Sequence, residues 1–179
     1  MRDSSFIQAI AKRLEKLSGR VAAILIHSGG DPDSIGSAYV LSRMLSKAFG
    51  LRRILFRIPS EVSMHSVLLL EELGFAESEE DLEKADSFIV LDCGSPEQLN
   101  DLAWILGSGK PVVVIDHHST SLEGFKSKAE VYASEEYQSV CEIVFDLAEY
   151  LGYRLSAREA EALFAGIYYD TVRLSVADS

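Results

Sequence analysis

Short apolar runs decide what this chain can fold into. They are Val21–Ile26 (VAAILI), residues 51–58, Ser87–Leu91 (SFIVL) and residues 111–115 (PVVVI). None approaches the ~18 residues needed to span a bilayer. Each has the length of a strand buried on both faces, as strands of parallel sheets are. Between the runs, apolar residues recur at helical spacing. Phe6, Ile7, Ile10, Leu14 and Leu17 predict a helix over 5–18, capped by Ser4 or Ser5. Further helices are predicted over 35–49, 62–73, about 97–107, about 138–151 and 156–170, with a short fifth strand over 129–132. Gly50 suits the C′ position after the second helix. Residues 27–34 (HSGGDPDS), with paired glycines and a proline, are predicted to be a loop. The acidic stretch 77–86 is predicted to be a solvated face and loop.

Strands alternating with helices imply βαβ units. The expected fold is an α/β three-layer domain, with a mainly parallel sheet of about five strands and helices on both faces. A length of 179 residues suits a single domain over 1–179, with 1–19 as an N-terminal helix. The final residues, 171–179 (TVRLSVADS), follow the last helix without a closing element, so the chain is expected to be the N-terminal portion of something longer.

Charge narrows the partners. Seventeen basic residues against 28 acidic ones leave a net charge of −11. Such a surface repels duplex DNA and long polyanions. A small anion remains compatible if metal ions neutralise its site. Cys93 and Cys141 form no CxxC pair, so neither a zinc knuckle nor a disulfide framework is expected. The amphipathic N-terminus lacks a signal-peptide core, which makes no membrane association and a cytoplasmic location the expectation.

The chemistry gathers at strand ends, where open parallel sheets bind ligands. The first run ends in His27, with Asp31 and Asp33 in the loop beyond. The third ends in Asp92, and the fourth in Asp116, His117 and His118. Asp170 lies in the last helical segment. All are metal-ligand types. In a loop, Asp31 and Asp33 can diverge to serve two ions. A lone Asp at a strand end is usually a cap and a lone His usually structural. Converging acids without cations, however, would repel one another by several kcal/mol at low effective dielectric.

These residues fall into four ordered motifs: HSGGDPDSIGSA (27–38), VLDCGS (90–95), IDHH (115–118) and GIYYDT (166–171). Together they resemble the DHH phosphoesterase superfamily, in its branch of RecJ-like nucleases and oligoribonuclease/pAp phosphatases. The resemblance covers roughly residues 20–175. Gly29-Gly30 stand where many members carry Asn-Pro, but the His-x₃-Asp-x-Asp spacing holds. Family members usually append a second lobe that grips the substrate, often with a glycine-rich GGGH-type stretch, and no such motif stands in these 179 residues.

The resemblance implies an N-terminal DHH-type catalytic domain with two Mn²⁺ ions, for which Mg²⁺ or Co²⁺ could substitute. His27, Asp31 and Asp92 would hold one ion. Asp33, Asp92, His117 and Asp170 would hold the other, with Asp92 bridging. His118 would face the phosphate or leaving group, and Asp116, also placed in the catalytic set, would orient a neighbouring ligand. A mixed imidazole–carboxylate site suits Mn²⁺, and two ions can activate water for in-line attack. The implied activity is hydrolysis of a small phosphorylated substrate, either a nucleotide such as pAp or a short single-stranded oligonucleotide. Two alternatives stand beside it. One is a metal- and nucleotide-binding regulatory module with little activity of its own, and the other an inorganic pyrophosphatase. Homo-oligomerisation is left open.

Gly36 and Ser37, at the start of the predicted second helix, are candidates for binding phosphate through backbone N–H groups. Arg173 is a candidate phosphate contact. Other features have blander readings. Arg43 reads as a surface residue, His65 as structural, Cys93 as a small buried hydrophobe and Trp104 as core. Tyr168 and Tyr169 could stack on a base, although helix packing is the default for such a pair.

Overall fold

The computed structural model describes residues 4–171. Five parallel strands form one sheet in the order β2-β1-β3-β4-β5. They are β1 (Val21–Ile26), β2 (Arg53–Arg57), β3 (Ser87–Leu91), β4 (Val112–Asp116) and β5 (Glu130–Ala133). Among the described residues six α-helices surround them: α1 (Ser4–Glu15), α2 (Pro32–Lys47), α3 (Met64–Leu73), α4 (Thr120–Gly124), α5 (Val140–Leu151) and α6 (Ala157–Asp170). The expected α/β three-layer architecture is the observed one.

Every residue of β1, β3 and β4 is buried, as a sheet covered on both faces requires. Alternate side chains feed two cores. Ala22, Ile24, Ile26, Ile89, Leu91, Val113 and Ile115 face the layer of α1, α2, α3, α5 and α6. Ala23, Leu25, Phe88, Val90, Val112 and Val114 face a thinner layer with Leu82, Leu99, Ile105 and Phe125. The N-terminal helix packs on this domain: Ile7, Ile10 and Leu14 of α1 are buried in the first core, each contributing about 1.5–3 kcal/mol of gross burial energy. Among the described residues no helix is long and apolar enough to cross a membrane.

Three local expectations fail. Residues 27–34 are not all loop, because α2 begins at Pro32 with Asp31 as its N-cap. Proline suits the first helical position, where its missing N–H costs nothing. The segment Pro96–Gly107 is not one regular helix but 3₁₀ turns broken at Asn100, which has φ 48° and ψ −126°. Tertiary contacts hold that break. Asn100 Nδ2 donates to Ser28 Oγ at 3.0 Å, and the Ser28 N–H donates to the Gln98 carbonyl at 2.7 Å. Trp104, on this segment, is 41% exposed rather than core, with its ring edge-on to Phe88.

Strand register sets the functional edge. Ile26 pairs with Leu91, and Leu91 with Ile115. The residues that follow, His27, Asp92 and Asp116, therefore stand in one row at the carboxyl ends of three adjacent strands. β2 lies on one side of β1 and β3 on the other, so the row begins where the winding direction reverses.

Candidate metal centre

Asp31 has two duties. Its Oδ1 accepts from the N–H groups of Asp33 and Ser34, both at 3.1 Å, capping α2. It also lies 3.8 Å from His27 Nε2. Asp33, inside the first turn of α2, is fully buried. Its Oδ2 accepts from the Val140 N–H at 2.6 Å and its Oδ1 from the Cys141 N–H at 2.8 Å. Those are the first N–H groups of α5, a favourable place for a carboxylate.

Asp92 occupies the centre of the row with φ 53°, a left-handed conformation that Asp tolerates better than most residues. Its Oδ2 is 3.7 Å from His27 Nε2, and its Oδ1 is 3.6 Å from His117 Nε2 and 3.8 Å from His118 Nδ1. His117 Nε2 is also 3.4 Å from Asp170 Oδ2. These separations exceed good hydrogen-bond length. His117 Nε2 is accordingly buried with no hydrogen-bond partner. Donor atoms sharing one ion at about 2.0–2.2 Å sit roughly 3–4 Å from each other, so the spacing and the orphaned nitrogen both fit a bound cation.

Three overlapping sets of candidate donor atoms each lie within 4.8 Å of one another: His27, Asp31 and Asp92; Asp33, His117 and Asp170; and Asp92, Asp116, His117 and His118. Asp116 is buried at the end of β4. Its Oδ1 accepts from the N–H groups of His117 (2.7 Å) and His118 (3.2 Å) and meets His118 Nδ1 at 2.9 Å. It thereby fixes the exposed His118 ring over the cleft.

The electrostatics are those of an uncompensated acid cluster. Burial pushes the Asp33 and Asp92 carboxyls up to about 7, and the charges of Asp92 and Asp31 respectively add to the rise. Burial, with Asp33, Asp31 and Asp92 nearby, raises Asp170 to about 8. Burial disfavours the charged His27 ring, but interactions with Asp31 and Asp92 outweigh it and lift the group to about 9. His118 rises to about 9 through its bond to Asp116.

Around these groups lies a cleft of about 300 Å³. Gly94, Gln98 and Thr120 line it together with His27, Asp31, Asp92, His118 and Asp170. Sequence reading missed Gly94, Gln98 and Thr120. Their signal was position alone, in the segments after β3 and β4.

The structure thus brings His27, Asp31, Asp33, Asp92, Asp116, His117, His118 and Asp170 together. It does not bring Gly36 and Ser37 to them as phosphate donors. Both are buried inside α2, past its first turn, where backbone N–H groups serve the helix itself. A Cβ on Gly36 would lie 2.4 Å from the Ala162 carbonyl oxygen, so this glycine permits close packing of α2 on α6. Ser37 Oγ donates to the Ser34 carbonyl at 3.2 Å. Arg173 lies outside the described residues.

Comparison with known proteins gives a consistent picture. The family model "DHH family, N-terminal domain" matches residues 22–167. A probable bifunctional oligoribonuclease and PAP phosphatase NrnA of Streptococcus mutans is 29% identical over 147 residues, which is 82% of this chain and 44% of that protein. The crystal structure of an exopolyphosphatase-related protein from Bacteroides fragilis superposes with a TM-score of 0.76 at 20% identity, over 97% of this chain and 52% of that one. RecJ from Thermus thermophilus, solved in complex with Mn²⁺, has a TM-score of 0.51 at 20% identity, over 96% of this chain and 24% of that one. The chain spans about half the length of the curated relatives it matches. On the family match, the chain belongs to the DHH family, with residues 22–167 corresponding to its N-terminal domain.

Proposed function

We propose that this domain is a Mn²⁺-dependent phosphoesterase acting on a small phosphorylated substrate, a nucleotide such as pAp or a short single-stranded oligonucleotide. One observation carries the reading. The Nε2 atoms of His27 and His117 stand 3.4–3.8 Å from carboxylate oxygens of Asp31, Asp92 and Asp170, beyond good hydrogen-bond length. His27, Asp31 and Asp92 would hold one ion, and Asp33, Asp92, His117 and Asp170 a second. The mixture of imidazole and carboxylate suits Mn²⁺, with Mg²⁺ or Co²⁺ as substitutes. Such ions, when bound, activate water and neutralise charge on the phosphoryl group.

The chain's own groups supply the rest. His118 Nδ1 is engaged by Asp116, which leaves Nε2 to hold the proton for the departing oxygen. Asp116 positions that ring and the backbone of both histidines. Gln98 and Thr120 line the cleft and would contact phosphoryl oxygens. A net charge of −11 favours short substrates over duplex DNA. The name of the NrnA relative and the Mn²⁺ in the RecJ structure agree with this reading, and we propose a cytoplasmic setting for it. A second reading is a metal- and nucleotide-binding module with little turnover.

Calorimetric titration of metal-stripped protein with Mn²⁺, followed by hydrolysis assays on pAp and dinucleotides, tests both. Two ions with turnover support the phosphoesterase. Two ions without turnover favour the module. Failure to bind Mn²⁺ overturns both.

A further inference from the structure

The metal cleft shares walls with a second cavity of opposite chemistry. Asp31 and Asp170 line the cleft, while their chain neighbours Pro32 and Tyr169 line the second cavity. Consecutive Cα atoms are about 3.8 Å apart, so the two spaces border adjacent chain positions at both places. The second cavity has a volume of about 540 Å³ and lies between α3 and α6. His65, Leu68 and Leu69 face it from one helix, and Tyr168 and Tyr169 from the other. No carboxylate lines it among the described residues.

Helix packing does not consume these side chains. Leu68 is 58% exposed, Tyr168 42% and Tyr169 43%. The His65 and Tyr169 rings approach to 5.8 Å at a 53° tilt, forming an open aromatic corner. His65 is therefore exposed rather than locked in the core, and Tyr168, although its ring stacks on Phe164 one turn earlier at 5.9 Å, stays open to solvent together with Tyr169.

We propose that this cavity is the subsite for the nucleobase of a nucleotide whose phosphate lies across the shared Asp31–Pro32 and Tyr169–Asp170 walls. The proposal rests on the phosphoester reading above and names the substrate class. A ligand that fills both spaces must be planar and apolar at one end and anionic at the other, with a short link between. A nucleotide meets each demand. Bases stack on aromatic rings regardless of sequence, because every base presents a π-face. The imidazole of His65 and the hydroxyl of Tyr169 would offer the base polar contacts. Phosphate charge stays in the cleft, where cations would meet it.

Calorimetry on the Mn²⁺-loaded 179-residue protein tests this with AMP and ribose 5-phosphate as probes, which share the ribose phosphate and differ at C1′, where AMP carries the base and the sugar phosphate a hydroxyl. AMP is expected to bind the unaltered protein about tenfold or more tightly than ribose 5-phosphate. Leu68→Glu and Tyr168→Ala, both at exposed positions, are expected to remove that preference and leave ribose 5-phosphate binding unchanged. Equal affinities for the two probes in the unaltered protein overturn the base subsite while leaving the phosphoester reading intact. A preference for AMP that survives both substitutions places the base elsewhere and overturns it as well. Unfolding by either substitution would mean that the side chain packs against polypeptide, which again overturns the proposal. Failure of both probes to bind removes the phosphoester reading and this proposal together.

Discussion

Gly166 of α6 passes so close to Asp33 of α2 that a Cβ added to the glycine would lie 2.8 Å from the Asp33 Cα. The same atom would meet Cys141 Sγ at 2.4 Å. Asp33 is held by the N–H groups at the start of α5, so α2, α5 and α6 converge on one carboxylate. Gly166→Ala is expected to destabilise the fold by about 1–3 kcal/mol, the usual scale of overpacking. It should also displace Asp33 and lower the number of Mn²⁺ ions bound. Gly107→Ala is the control, because a Cβ there meets nothing within 4 Å. Equal melting temperatures for the two variants would show that the contact yields without strain.

Asp92 is common to two of the donor sets, with one oxygen toward His27 and the other toward His117 and His118. Asp92→Asn keeps the shape and removes the charge. Phosphoester hydrolysis is expected to fall by about 10³-fold or more, since several kcal/mol of charge stabilisation disappear. Calorimetry should show that Mn²⁺ binding weakens at both sites. Undiminished turnover would remove Asp92 from its central place.

The sheet, its direction and its chemical edge were legible because apolar runs of strand length ended in ligand-type residues, from His27 to Asp116. Short-range competition was not legible. Asp31-Pro32 reads as loop by composition, yet Asp31 caps α2 and Pro32 opens it. Gly36 stands where a phosphate-binding glycine would, but its hydrogen atom faces the Ala162 carbonyl, a contact with no local sequence signature. The backing of Asp33 by α5 is likewise invisible locally, because 107 positions separate Asp33 from Val140. Trp104 and the tyrosine pair of α6 show the same limit. Helical periodicity identifies an apolar residue without saying whether anything covers it.

His118 is half-exposed over the cleft, with its ring tied to Asp116. His118→Ala is expected to lower kcat by about 10²–10⁴-fold, the range for a positioned proton donor, while the protein still binds as many Mn²⁺ ions as before. Asp116→Asn should cost about 10–100-fold, because it loosens the ring without removing it. A His118→Ala protein that loses an ion would make the residue a ligand instead.

The acid cluster gives the metal-free protein an unusual response to pH. Burial and mutual repulsion raise Asp33 and Asp92 to about 7 and Asp170 to about 8. In the unfolded chain these groups titrate near 3.9. The folded state therefore binds their protons more tightly than the unfolded one. Each group contributes stability that is complete below its unfolded pKa and is lost as pH rises through its folded pKa. His27, raised to about 9, acts in the same direction. The melting temperature of metal-free protein is expected to fall between about pH 5 and pH 9. Mn²⁺ replaces those protons, so the stabilisation it brings should grow over the same interval. Thermal melts in matched buffers, with and without Mn²⁺, measure both slopes. A metal-free melting temperature that rises across that range would mean that the carboxylates are not compressed together as described.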